Sequence, residues 1–166
     1  MTSGKIADGT IVTADLADSA VTSAKIADGA VTYNDITTTL RPFVTAPQVL
    51  WSGAVYMFKA QEVALSKKVS EMAHGIVLVF SHYNTDNKTA SNYCWSSFFV
   101  PKAVVAVSNG TGHIFFSMTW DRKAMCKYLY IYDTKITGLE GNEKAGTANG
   151  VAYDNSIYVL RYVIGV

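Results

Sequence analysis

Along the first forty residues the large apolar side chains fall at Ile6, Ile11, Leu16, Val21, Ile26, Val31 and Ile36, one every five positions. On a helix each step of five turns the side chain by about 140°, so no apolar stripe forms. On an unbroken strand an odd spacing changes face at every step. The pattern therefore predicts a chain that bends inside each unit. Asp8-Gly9, Asp18-Ser19 and Asp28-Gly29 stand where the bends are needed, because Asp and Gly tolerate the positive φ of tight turns. Short strands of Thr, Val and Ile joined by these turns are the predicted elements. The pentads pair into a ten-residue motif present three times, over 6–15, 16–25 and 26–35, the mark of an elongated repetitive segment.

A ribbon with one Ile or Val per pentad leaves most of that apolar surface wet unless other chain covers it. Two architectures supply the cover: an intertwined shaft of three copies, or a single-chain solenoid of pentapeptide repeats. The solenoid would explain the small residues two before each apolar one, Gly4, Gly9, Ala14, Ser19, Ala24 and Gly29. It needs about four pentads per coil, however, and this stretch supplies fewer than two coils where about three repeats are needed for stability. The homotrimeric shaft is the expectation.

The pattern changes after Pro42 and Pro47, which stiffen a neck over 41–48. Beyond it, β-branched and aromatic runs occupy 49–58, 75–81, 95–100, 103–107, 113–120, 127–132 and 157–164, separated by turn clusters such as 109–112 and 138–142. Only 64–73 has room for a turn or two of helix. The expected fold class is all-β: a short repetitive trimeric β shaft over 1–40, followed by a β-sandwich or jelly-roll head over 49–166. Runs such as 76–80 are apolar on both faces, which suggests that a neighbouring subunit covers the second face. The apolar end, 163–166, is expected to close a buried strand.

Composition narrows the partners. The net charge is +1 and the 14 Lys and Arg residues are scattered, so no polyanion-binding surface is expected and nucleic acid is not a partner. No stretch reaches the ~18 apolar residues of a membrane span, so membrane insertion is not expected, and residues 1–5 lead into the repeat rather than into a signal-peptide core. Cys94 and Cys126 lie in apolar runs and read as reduced, buried thiols. Both features fit assembly inside a cell, with display outside only after lysis.

These residues carry a resemblance. The Ala-Asp-Gly-Ala-Val-Thr type of repeat resembles phage tail-fibre shafts. The head is similar to the C-terminal domains of tail-fibre or receptor-binding proteins from phages and prophages of Gram-positive bacteria. The matching segments are Leu50-Trp51-Ser52-Gly53, Lys68-Val69-Ser70-Glu71 with 75–81, Phe98-Phe99-Val100-Pro101-Lys102, Lys127-Tyr128-Leu129-Tyr130-Ile131, Ile136-Thr137-Gly138 with Asn142, and 158–166. The resemblance implies a homotrimeric adhesin at the tail tip or baseplate of a virion. Its N-terminal side would attach to other tail-tip proteins, and its head would bind a host cell-wall saccharide such as a decorated teichoic acid or surface polysaccharide, with no cofactor and no catalysis. The family brings no fixed binding motif, so candidate sites rest on chemistry.

Saccharide sites combine an aromatic face, on which the C–H side of a pyranose packs, with planar polar groups that bond its hydroxyls. The best local constellation is the polar stretch 81–93, with His82, Tyr83, Asn84, Asp86 and Asn87; its plain alternative is a solvated hairpin loop. A second is Trp120, Asp121 and Arg122, where an Arg fork beside an indole suits an anionic or hydroxylated sugar, against a hairpin turn with a core Trp. A third is Tyr153, Asp154 and Asn155 after an Asn-Gly pair, which turn chemistry alone also explains. Trp51, Trp95 and Tyr56 sit in strand patterns and read as core. His74 and His113 are isolated, so no metal site is expected.

A depolymerase would need two carboxylates flanking a glycosidic bond. The head's acids are sparse and mostly in turn contexts, Glu140 and Glu143 lying in a Gly-rich loop, and no Gly-x-Ser-x-Gly elbow or phosphate loop occurs. The remaining alternative is a spike or particle-surface trimer without a ligand, which would fail to bind intact cells.

Overall fold

The computed structural model describes residues 7, 9–37, 40, 46–119 and 122–166, Tyr33 by its backbone alone. The chain divides into two compact units, Met1–Arg41 and Pro42–Val166. Ile6, Asp8 and most of the expected neck lie outside the described residues.

In the N-terminal unit the bends stand where the Asp-Gly and Asp-Ser pairs place them. Gly9, Ser19 and Gly29 take φ of 77°, 62° and 76°, and the turns are closed by Ala20 N donating to Ala17 O at 3.0 Å and Ala30 N to Ala27 O at 2.9 Å. The expected strands between them are instead single 3-10 turns, Thr13–Asp15, Ser23–Lys25 and Tyr33–Asp35. A tight turn in every ten residues leaves too little chain for a ladder, and the polar side chains satisfy the backbone locally instead. Asp15 accepts from Val12 N at 2.9 Å. Asp35 accepts from Thr32 N at 2.8 Å and from the Thr32 hydroxyl at 2.7 Å, bonds that hold its carboxyl below the ordinary range. Ile11, Leu16, Val21, Ile26 and Val31 remain 43–60 % exposed. Among its described residues this unit has no apolar core of its own.

The second unit is nearly all β. Its strands are β1 (Gln48–Val55), β2 (Glu62–Ala64), β3 (Gly75–Asn84), β4 (Thr89–Ala90), β5 (Ser96–Pro101), β6 (Thr111–Met118), β7 (Ala124–Ile131), β8 (Lys135–Gly138), β9 (Ala145–Ala148), β10 (Val151–Asp154) and β11 (Tyr158–Gly165). One sheet runs β1-β11-β3-β4 with β5 also on β3; the other runs β2-β8-β7-β10-β9 with β6 also on β7. Strict alternation on β7 buries Met125, Lys127, Leu129 and Ile131. Met125, Leu129 and Ile131 pack with Val63, Phe115 and Ile136 of their own sheet, and with Leu50, Ile76, Leu78, Phe80 and Leu160 of the other, in a single core. Phe98 and Phe115 bridge the sheets edge to face, 5.4 Å between centroids. The apolar C-terminus does close a buried strand: β11 lies between β1 and β3, and Val166 exchanges backbone bonds with Gly75.

Three expectations are corrected. The β-branched run 103–107 is not a strand but part of a helix, α1 (Lys102–Val107), which drops Val105 into the core; packing overrides the weak strand preference. The stretch 81–93 is not one long loop, because β3 runs on through Asn84 and returns as β4. Cys94 is not inside a strand but precedes β5 with φ of 54°, and both cysteines are half-buried free thiols. The permitted helical turn within 64–73 is the 3-10 turn Val69–Glu71.

One glycine fixes how the loop after β1 lies on the second sheet. A Cβ on Gly138 would overlap the backbone carbonyl of Met57, an obstacle no rotamer change removes. Gly138→Ala is expected to cost about 3 kcal/mol or more through overpacking; an unchanged urea midpoint would refute that close approach.

Candidate functional site

A partly exposed aromatic group assembles on the first sheet where β11 breaks register. Leu160 lies opposite Phe80 and Tyr162 opposite Val79, so Arg161 is the extra residue of a bulge. Its guanidinium carbon lies 5.4 Å from the Trp95 ring centroid and 5.8 Å from that of Tyr162. Nε donates to Gly53 O at 3.0 Å, and Nη1 to Ser81 Oγ at 3.0 Å and Ser91 O at 3.2 Å. One side chain thereby ties β1, β3 and the segment before β5 together. The Trp95 and Tyr162 rings are 6.2 Å apart and tilted by 30°.

Trp95 is 46 % exposed and Tyr93 53 %, which corrects the expectation that Trp95 is core. The positive φ of Cys94 re-aims the chain between them. Tyr93 stacks on His82 at 5.0 Å, the planes 20° apart, and His82 Nδ1 lies 3.2 Å from Ser91 Oγ. The group thus presents flat apolar faces beside fixed polar edges, the combination that takes a sugar ring.

Of the residues singled out from sequence, His82 belongs to this platform. Tyr83 packs edge to face on Tyr56, 5.0 Å between centroids. Asn84 accepts from the backbone of Asp86 and Asn87 at 2.9 and 3.1 Å, and Asn87 accepts from Thr89, so both asparagines shape the β3–β4 turn, with Asp86 exposed on it. Trp120 and Asp121 lie outside the described residues. Arg122 is exposed in a turn with φ of 66°, its N donating to Thr119 O at 3.0 Å.

Tyr153 lies on β10 opposite Gly146. Asp154 accepts from Ser156 N at 3.1 Å and faces Lys123 Nζ at 3.8 Å. Asn155 is 8 % exposed, accepting from Cys126 N at 2.8 Å and donating to Gly141 O at 3.0 Å; its amide is committed to the scaffold. Tyr83 and Asp154 nonetheless meet at Tyr56, whose hydroxyl is pushed up to about 12 by burial first and then by these two neighbours.

Comparison with protein-family models gives no match, and none of the curated proteins matches the chain. Function therefore rests on the site itself. Among the described residues, no three His, Cys, Asp or Glu side chains converge as metal ligands.

Sequence reasoning missed Tyr162 and Arg161 and placed Trp95 inside, while Tyr93 stood at the end of the candidate stretch 81–93. Tyr93 and Trp95, two apart after a polar stretch, were the available signal. Nothing in the sequence marks the bulge that brings Arg161 over both rings.

Proposed function

We propose that this protein is the receptor-binding part of a phage tail fibre: a homotrimeric adhesin that attaches a virion to a host cell-wall saccharide. In this reading a three-chain shaft carries β-sandwich heads of the jelly-roll kind. The observation that carries it is the platform of exposed Tyr93 and Trp95 with half-buried Tyr162, in which Arg161 lies over the Trp95 and Tyr162 rings. Large aromatic side chains fixed in the open beside polar edges suit a ligand with an apolar face, and pyranose faces fit them.

Trimerisation is supported by the uncovered apolar series of the repeat, and by two further rows on the head. Val49, Ile164, Val77 and Phe99 are directly opposed across four strands of the first sheet, with Val49 58 % and Phe99 53 % exposed. Ile114, Phe116 and Met118 share one face of β6 and are likewise exposed. Two unlike patches on two sheets suit a closed ring, in which one patch of each copy docks on the other patch of the next. Three weak sugar sites on one particle gain avidity through effective concentration.

The test is binding of fluorescently labelled protein to intact Gram-positive cells and to the same cells stripped of wall glycopolymers, with mass measured by light scattering. A trimer that labels intact cells and loses them on stripping is expected. A trimer that labels no strain in a broad panel would favour a ligand-free spike.

A further inference from the structure

We infer that Arg161, framed by Trp95 and Tyr162, reads a negative charge, so that the saccharide taken by this platform carries a phosphodiester or a carboxylate in its repeating unit. This rests on the saccharide-binding reading above and narrows it.

A guanidinium has five N–H donors in a rigid fork. In Arg161 the Nε donor goes to Gly53 O, and Nη1 goes to Ser81 Oγ and Ser91 O. That leaves the two N–H groups of Nη2, which diverge from one nitrogen, with no acceptor among the described residues. Nor does any described carboxylate lie within ion-pair distance of Arg161; among the described residues the ion pairs are Lys123–Asp154, Lys135–Glu62 and Lys144–Glu140. All three acceptors of Arg161 are neutral oxygens, and both rings beside it are neutral. The charge is thus held in place by the scaffold without being neutralised by it.

A sugar seated on the two rings would take water away from this charge. If the sugar is neutral, its hydroxyls satisfy the Nη2 donors but leave the desolvated cation uncompensated. A phosphate or carboxylate oxygen accepts from Nη2 and supplies the missing charge as well. With a whole-chain charge of only +1, the attraction is local to this fork rather than a property of a basic surface. The anion reading that the sequence suggested for Arg122 is thereby moved to Arg161, whose side chain is fixed.

The experiment is calorimetric titration of the full chain with three probes: a poly(glycerol phosphate) oligomer, an oligogalacturonate and maltoheptaose. Each is run at low and high salt, with Arg161→Gln, Arg161→Lys and Trp95→Ala alongside. One of the two anionic probes is expected to bind at least about tenfold more tightly than maltoheptaose, to weaken with salt, and to lose about tenfold or more in Arg161→Gln, with partial retention in Arg161→Lys. Which probe it is separates a phosphodiester from a carboxylate.

Equal binding of maltoheptaose and the anionic probes, lost in Trp95→Ala, would overturn the charge inference and keep the saccharide reading. No binding of any probe, together with no binding to cells, would overturn both. Because Arg161 also joins three segments, Arg161→Gln is checked by circular dichroism. If it does not fold, the salt dependence and charge preference of the unmodified chain decide, and their absence overturns the inference.

Discussion

Replacing Lys127 by methionine is expected to destabilise the head by roughly 3 kcal/mol, the summed cost of leaving its carbonyl acceptors without a donor less the gain in apolar burial. Lys127 is 0 % exposed on the inner face of β7. Its Nζ donates to the carbonyls of Asn142 and Asn155, the latter at 2.7 Å, and more distantly to Tyr56 O at 3.4 Å. These carbonyls belong to three separate loops, so one side chain pins three connections. Methionine fills the space but donates nothing. Each orphaned carbonyl then costs about 1–3 kcal/mol, against which added apolar burial offsets a part. Urea unfolding measures the loss; a change below about 1 kcal/mol would show that the cage contributes little.

The same residue sets a pH dependence. Burial pushes the Lys127 ammonium down to about 7, with Glu143 and Asp154 acting the other way. In the unfolded chain an ordinary lysine keeps its proton up to about 10.4. Between these values the unfolded state binds more protons than the folded one, so stability rises with pH from about 7 to about 10 and is level on either side as far as this group is concerned. Lys127→Met is expected to flatten that slope, and a slope that survives the substitution would assign it to other groups.

Glutamates at Ile114 and Phe116 are expected to turn the proposed trimer into monomers at micromolar concentration without unfolding them. Ile114 is 66 % and Phe116 58 % exposed in the single chain. For an isolated head the double substitution is therefore a surface change, worth within about 0.5 kcal/mol per site. In a ring whose copies cover β6, it buries two charges per interface with no partner, a cost of several kcal/mol for each. Light scattering reads the mass, and circular dichroism confirms the fold. An unchanged trimer would exclude β6 from the contact; a monomeric unmodified chain would remove the shaft argument itself.

Much of the head can be read from local pattern. The runs around Ile76, Phe98, Phe115, Leu129 and Leu160 announce their strands because β-branched and aromatic residues cluster there between turn signals. The hairpin of β9 and β10 rests on Asn149 and Gly150, which take φ of 50° and 78° as an Asn-Gly turn should. β9 itself, Ala-Gly-Thr-Ala, has no apolar run to announce it and becomes a strand only by pairing with β10. The run 103–107 misleads because a strand preference of a fraction of a kcal/mol yields to the core contact of Val105. At the site, the aromatic chemistry expected near 81–93 was visible as composition, whereas its partners were not.

The sequence by itself determined the repeat, its bends at Asp-Gly and Asp-Ser pairs and the all-β character of the head, since period, turn residues and β-branched runs are local properties of the chain. Tertiary structure alone decided that Lys127 is buried within a cage of carbonyls, that Trp95 faces outward, and that Arg161 leaves the alternation of β11 to lie over two rings. Those outcomes depend on contacts between residues up to about a hundred positions apart, as between Arg161 and Gly53, and a one-residue bulge that reverses which way a side chain faces carries no signature in the residues that form it.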